Sequence, residues 1–314
     1  AAPNGWVMEY YIGKDYSLGG ITLLCRFDGQ RVTMASQMSE ADETVSSLYS
    51  VKSEQATMLS FDTYNYLVHY FGQPQGSMSD DPNGTLGGDY EFIISSASAE
   101  RIELKGKKYG NRIVMKALTE DQTWKQYLTK IKKVEDDAFF YEYDLLTDGL
   151  YTGQMIRSNY TFIVTYYDEI GKVHQKTVPF MFTADGLRFH EPVTIDGQTM
   201  QNFVWKNELI SFVCTDEGAT GVKLAGVYTA GYQSYDYYPG TYQMDFYRLN
   251  DETGQLEVAS QEVRLLKNED RKSYWLKGLE YDILVMYDKP RGGLSVSPQL
   301  LEKVQGGYVY LAMW

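Results

Sequence analysis

The side chains that could do chemistry in this chain are three histidines, two cysteines and a large set of carboxylates. His69, His174 and His190 form no His-x-x-x-His or His-Glu-x-x-His pattern, the spacing that brings two imidazoles onto one helical face to hold a metal. His69 sits in the strand-like run Leu67-Val68-His69-Tyr70, and His190 precedes Glu191-Pro192. Structural or surface histidines are the expected state, and no metal or other cofactor is expected. Cys25 and Cys214 each end an apolar run, the setting of a small buried hydrophobe and not of an activated thiolate. Free thiols are preferred to a disulfide on that ground, although an exported chain could join them. No Gly-x-Ser-x-Gly elbow, Walker loop or dinucleotide-binding glycine pattern follows a strand.

Paired carboxylates are the harder case, because glycoside hydrolysis needs only two carboxyl groups roughly 5–10 Å apart. Asp80-Asp81, Asp136-Asp137, Asp216-Glu217 and Asp251-Glu252 all fall in turn-like stretches, where Asp is favoured for its own backbone hydrogen bonds. None is set in an aromatic, apolar strand end that would raise a pKa, so no catalytic residue is assigned. Residues 79–84 are oxygen-rich but lack the closing Glu of a calcium loop, and read as an ordinary acidic loop.

The remaining candidate is aromatic. Five tyrosines precede Pro239 in a Gly- and Ser-containing stretch without strand alternation: Tyr228, Tyr232, Tyr235, Tyr237 and Tyr238. The last four are the candidate ligand-binding residues, by stacking on a sugar face or by contact with protein. The alternative is that these rings plug the end of a barrel. That alternative stands somewhat ahead, because the segment runs directly into a strand.

Strands must position these residues, since period-2 alternation dominates the chain. Residues 21–27 and 31–35 flank Asp28-Gly29, a pair that tolerates the positive φ of a hairpin turn. Further strands fit 6–12, 47–51, 57–61, 66–71, 90–95, 101–104 and 112–116, with a long Gly/Pro/Ser/Asp-rich loop over 72–88. Strands resume from about residue 151 and continue to 313. Between them, Trp124, Tyr127, Leu128 and Ile131 recur at helical spacing, with lysines near the end, which predicts one helix within 119–138. The halves also echo each other. Segments 88–93, 102–105 and 112–115 parallel 240–245, 263–266 and 282–286, and 52–61 resembles 182–189. The echo fits a duplicated antiparallel meander that closes or nearly closes, and it also fits generic strand–turn–strand grammar.

Composition narrows the function classes. The 314 residues fit one large or two ordinary domains, and 43% hydrophobic residues suffice for a core. A net charge of −13 repels nucleic acid and anionic lipid, so neither is an expected partner. The clusters at 105–108 and 130–133 read as solvated surface. No apolar run approaches the ~20 residues that span a bilayer, and the opening Ala-Ala-Pro-Asn-Gly-Trp reads as a mature or trimmed start without a signal peptide.

Several stretches carry a resemblance: 5–11 (Gly-Trp-Val-Met-Glu-Tyr-Tyr), 20–28 (Gly-Ile-Thr-Leu-Leu-Cys-Arg-Phe-Asp), 50–55 (Ser-Val-Lys-Ser-Glu-Gln) and 59–65 (Leu-Ser-Phe-Asp-Thr-Tyr-Asn). With 104–111 (Leu-Lys-Gly-Lys-Lys-Tyr-Gly-Asn), 185–189, Glu191-Pro192 and 306–311, they resemble a domain-of-unknown-function family of Bacteroidetes lipoproteins over nearly the whole chain. That family is typically encoded beside SusC/SusD-like outer-membrane uptake systems, often near zinc metallohydrolase lipoproteins. The resemblance implies export and a lipid anchor on a cysteine upstream of Ala1. It carries over no catalytic residue.

The expected fold is mainly β: two antiparallel β-meander, barrel-like domains, lipocalin-like and duplicated, joined by one helix. The expected boundaries are 1–117, a helical connector 118–149, and 150–314. The expected function is that of a non-catalytic envelope lipoprotein, on the surface or periplasmic face, accessory to a nutrient-uptake system and binding a glycan or peptide. The alternatives are a structural subunit docking on a SusC/SusD-like transporter complex, and a carboxylate-dependent hydrolase.

Overall fold

The structure, a computed structural model, describes residues 2–312 apart from 54–55, 75–83, 169, 251 and 271. Strands β1 (Trp6–Ile12), β2 (Gly19–Asp28), β3 (Arg31–Ser36), β4 (Val45–Ser53), β5 (Thr57–Phe61), β6 (Glu91–Ala97), β7 (Arg101–Gly106) and β8 (Arg112–Ala117) form a closed antiparallel barrel, β1 pairing with both β2 and β8. Alternation decides which side chains go inside. Met8, Tyr10, Leu23, Cys25, Phe92 and Met115 fill the interior, with Tyr10 edge-on to Phe71 and Phe92.

A second closed barrel is built from β9 (Glu142–Thr147), β10 (Leu150–Ser158), β11 (Thr161–Tyr167), β12 (Val173–Phe182), β13 (Gly186–Ile195), β14 (Gln198–Lys206), β15 (Ser211–Cys214) and β16 (Val222–Val227), with β16 returning to β9. Aromatic rings pack its interior. Phe162 stacks on Phe180 at 4.3 Å, and Tyr143, Phe182 and Phe212 lie within the same buried cluster. Cys25 and Cys214 are free and buried, one in each barrel core.

Two short helices complete this part. Asn65 caps α1 (Tyr66–His69), its side chain accepting from the Leu67 amide. Helix α2 (Trp124–Asp137) starts in a capping box: the Thr123 hydroxyl takes the Gln126 amide, and Gln126 reaches back to the Thr123 amide. Leu128 packs with Val7 and Leu24 on the outside of the first barrel, while Ile131 and Val134 join the core cluster of the second. At the other end of α2, Glu135 accepts from Tyr160 at 2.9 Å and pairs with Arg157 at 3.3 Å. The barrels also touch directly. Gly19, at φ +69°, lies against Tyr160, where an added Cβ would collide with the Tyr160 carbonyl.

The chain divides into two compact units, Ala1–Val227 and Tyr228–Trp314. The second unit holds a sheet in the order β17 (Gly240–Leu249), β18 (Leu256–Lys267), β19 (Ser273–Lys277), β20 (Ile283–Asp288), β21 (Gly293–Ser295), and a hairpin of β22 (Gln299–Val304) and β23 (Gly307–Leu311). Its core is Tyr235, Leu265, Tyr274 and Val285.

The mainly β fold with two barrel-like meanders linked by a helix is borne out, and both meanders close completely. Particular elements differ from expectation. The strand expected at 66–71 is instead α1, because the Asn65 side chain supplies a cap that outweighs the strand-like composition. Within the expected span 119–138 the helix begins only at Trp124, because the capping box at Thr123 satisfies the first amides. Residues 142–147, within the span read as connector, form β9, which pairs with both β10 and β16. The echo between 88–115 and 240–286 links the first barrel to the sheet of the second unit. The echo between 52–61 and 182–189 joins the fourth-to-fifth strand corners of the two barrels.

Candidate functional site

A polar cleft of about 570 Å³ opens between the two barrels. One wall is the outer face of β1, β7 and β8. Antiparallel register places Arg101 opposite Lys116, Glu103 opposite Val114, and Lys105 opposite Arg112, with Leu104, Ile113 and Met115 turned into the core. From β1, Glu9 stands opposite Val114. The second wall comes from β13 and β14, through Arg188, His190, Glu191, Pro192, Gln201 and Asn202.

Glu9 is the hinge of the charge arrangement. Although nearly buried, it accepts from Lys116 at 2.8 Å and also pairs with Arg188 of the other barrel. The Arg188 guanidinium is largely desolvated, which favours its neutral form, but the Glu9 carboxylate holds its pKa above the ordinary value. Glu103 is likewise shared, by Arg101 at 3.0 Å and Arg112 at 4.0 Å. Each carboxylate therefore serves two cations.

His190 lies between two rings, with centroids 4.3 Å from Tyr11 and 4.0 Å from Tyr16. Burial pushes its pKa down, and Arg112 and Arg188 add to that against the opposing pull of Glu191. His190 is therefore neutral at neutral pH. It is aimed by an irregularity: the β13–β14 register shifts between Arg188 and Val193, and Pro192 offers no amide there. Gln201 fills the gap, its side-chain amide donating to the Phe189 carbonyl at 3.2 Å. Asp216 locks the opposite strand by accepting from the Gln201 amide at 2.5 Å, the Asn202 amide at 2.8 Å and the Asn202 side chain at 2.7 Å.

The four candidate tyrosines lie in the second unit, and they divide by environment. Tyr235 is in the core, stacked on Tyr274 at 4.6 Å, its hydroxyl bonded to the Asn268 and Ser273 carbonyls. Tyr238 packs on the same cluster and donates to the Gly292 carbonyl at 2.6 Å. The Tyr232 hydroxyl is 3.2 Å from that of Tyr287 and its ring is half-buried. Tyr237 is exposed. Gly292, at φ +63°, lets its loop pass close to Gln233 and Tyr232.

Of the carboxylate pairs, Asp216 serves β14 as described, and Asp137 pairs with Lys133 at 2.6 Å. Asp80, Asp81 and Asp251 lie outside the described residues, as does the candidate calcium loop except Gly84. His69 is on α1, its ring stacked on Tyr90 at 4.5 Å, and His174 pairs with Asp168 at 2.8 Å. The cleft was not singled out from the sequence. Its signal was present as charges on alternate positions, Arg101-x-Glu103-x-Lys105 and Arg112-x-Val114-x-Lys116.

Residues 1–207 match the family described as Domain of unknown function (DUF4302), and residues 215–314 match a second domain of unknown function (DUF4987). No curated protein matches the chain. Among solved structures, the Botulinum Neurotoxin Type G Receptor Binding Domain aligns at 8% identity and TM-score 0.13 over 99% of this chain and 73% of that one, too slight a likeness to carry any argument. The chain belongs to the uncharacterised DUF4302 family.

Proposed function

We propose that the chain is a non-catalytic binding protein that captures a glycan or peptide in the cleft between its barrels. The observation that carries this reading is the construction of the cleft: polar side chains from two barrels, several held in place by a partner, as the Asn202 side chain is by Asp216, the Gln201 side chain by the Phe189 carbonyl and Arg188 by Glu9. Both barrel interiors are filled with side chains, so the outer cleft offers the room that a lipocalin-like lumen would otherwise provide. The sequence resemblance supports a setting for this role: an exported, lipid-anchored outer-membrane protein of a Bacteroidetes bacterium, accessory to a SusC/SusD-like nutrient-uptake system. Glycan and peptide arrays test the binding reading, with hydroxyl-radical footprinting to locate the contact. Protection of β7, β8 and β13 by a bound ligand is the expected result. Turnover of a bound polymer, lost on replacing one carboxylate, would overturn the non-catalytic part.

A second reading, a docking subunit for a transporter complex, draws on one feature of the second unit. Tyr247 stands opposite Val258 and Leu249 opposite Leu256, placing four exposed apolar side chains on one face of the β17–β18 hairpin. Affinity capture of the native complex, with Tyr247→Ser and Leu249→Ser as controls, separates docking from ligand capture.

A further inference from the structure

We infer that the inter-barrel cleft takes a linear glycan bearing carboxylates, a uronate-containing polysaccharide. This rests on the reading that the cleft is the binding site. Like charges directly opposite across an antiparallel pair destabilise a sheet. Two of the three outward pairs between β7 and β8 are nonetheless basic on basic, Arg101 with Lys116 and Lys105 with Arg112. The carboxylates present do not balance them. Glu9 and Glu103 are each divided between two cations, and His190 is neutral beside Glu191. Four cations, Arg101, Arg112, Lys116 and Arg188, line the cleft with two carboxylates, Glu9 and Glu191, on a chain whose net charge is −13. A positive stripe on a strongly negative protein focuses an anionic ligand onto that place.

The spacing argues for a repeating anion. Arg112 and Lys116 both line the cleft and stand four residues apart along β8, about 13 Å at a rise of ~3.4 Å per residue. A polymer with a carboxylate on successive or alternate sugars presents charge at both ends of that span at once, and linked contacts raise avidity. A glycan fits better than an acidic peptide. Peptides that bind β-proteins in extended form commonly add to an open sheet edge, and both barrels here are closed. Arg guanidinium forks match carboxylate geometry, and Arg101 and Arg112 are exposed enough to exchange Glu103 for a ligand.

The test is calorimetric titration of the full chain with polygalacturonate, alginate and hyaluronan, each beside its carboxyl-reduced form, with poly-glutamate as a competitor. At least one native polymer should bind, its reduced form about tenfold or more weaker. Raising salt should weaken the acid form selectively. Arg101→Gln/Arg112→Gln should lower affinity by a similar factor, and Arg101→Lys/Arg112→Lys should retain most of it. Equal binding of native and reduced polymers, with the cleft protected in footprinting, overturns the charge inference and leaves the cleft reading standing. Tighter binding of poly-glutamate than of all three polymers overturns the glycan assignment. Absence of cleft protection by any ligand overturns the inference together with the reading beneath it. The native-versus-reduced comparison needs no variant, so misfolding of the double Gln chain does not blunt it.

Discussion

Asp216 accepts three hydrogen bonds that align β14 beneath the cleft, and its titration follows from them. Burial alone would raise its pKa, but the bonds from the Asn202 side chain and the two backbone amides outweigh that and hold it below the ordinary carboxylate value. A carboxyl depressed in the folded state stabilises the fold above its unfolded pKa. That contribution drains away as pH falls through ~4 and below. Asp216→Ala should cost about 1 kcal/mol or more at pH 7, since it leaves three half-buried donors without their acceptor. In urea titrations the gap between variant and native chain should narrow at low pH; a gap independent of pH would refute the account. His190 has the opposite charge type and the same direction of loss. Its folded pKa is lowered, so the unfolded chain takes the proton first, and stability declines as pH drops below ~6.5. Ring-proton NMR should give a midpoint for His190 below that of an unfolded-chain histidine, with Tyr11 and Tyr16 packed at a tilt against it and Arg112, Arg188 and Glu191 facing it.

At the scale of elements, the Gly19–Tyr160 contact and helix α2 are among the features that hold the barrels together. Gly19→Ala must both adopt φ +69° with a side chain and displace the Tyr160 carbonyl. A loss of about 2 kcal/mol or more in denaturant midpoint analysis is expected, against the ±0.5 of an ordinary surface change. Thr123→Ala removes the α2 cap and should cost about 1 kcal/mol, measured the same way. How far such elements can be read from sequence depends on where their determinants lie. Asp28-Gly29 states the β2–β3 hairpin locally, and β7 and β8 declare themselves by alternation. The four-residue α1 does not, because one side chain at Asn65 decides it. For the cleft, the alternating charges of β7 and β8 are legible one strand at a time. Their meaning depends on partners far along the chain: Lys116 lies 107 residues from Glu9, and Arg188 lies 179. Barrel closure and barrel–barrel packing set those pairs, and no local pattern encodes either. The tyrosine segment is legible as a cluster, but the burial of Tyr235 and the exposure of Tyr237 follow from which rings the sheet of the second unit reaches.

On the scale of the whole molecule, the division after Val227 predicts calorimetric behaviour. The two barrels share α2 and the Gly19–Tyr160 contact, so they should unfold together, and the second unit should give a separate transition. Phe212→Ala, which empties space in the second barrel, should lower only the barrel transition, by about 3–5 kcal/mol. A shift of both transitions would refute the independence of the units. The filled barrels have one more consequence. Along β7 and β8 the core residues Leu104, Ile113 and Met115 point inward, while Arg101, Lys105, Arg112 and Lys116 occupy the outward positions between them. Adaptation to a new ligand can thus proceed by exchanging outward side chains without disturbing the core. Relatives that share this scaffold are free to diverge in the charge they present while keeping the same melting behaviour.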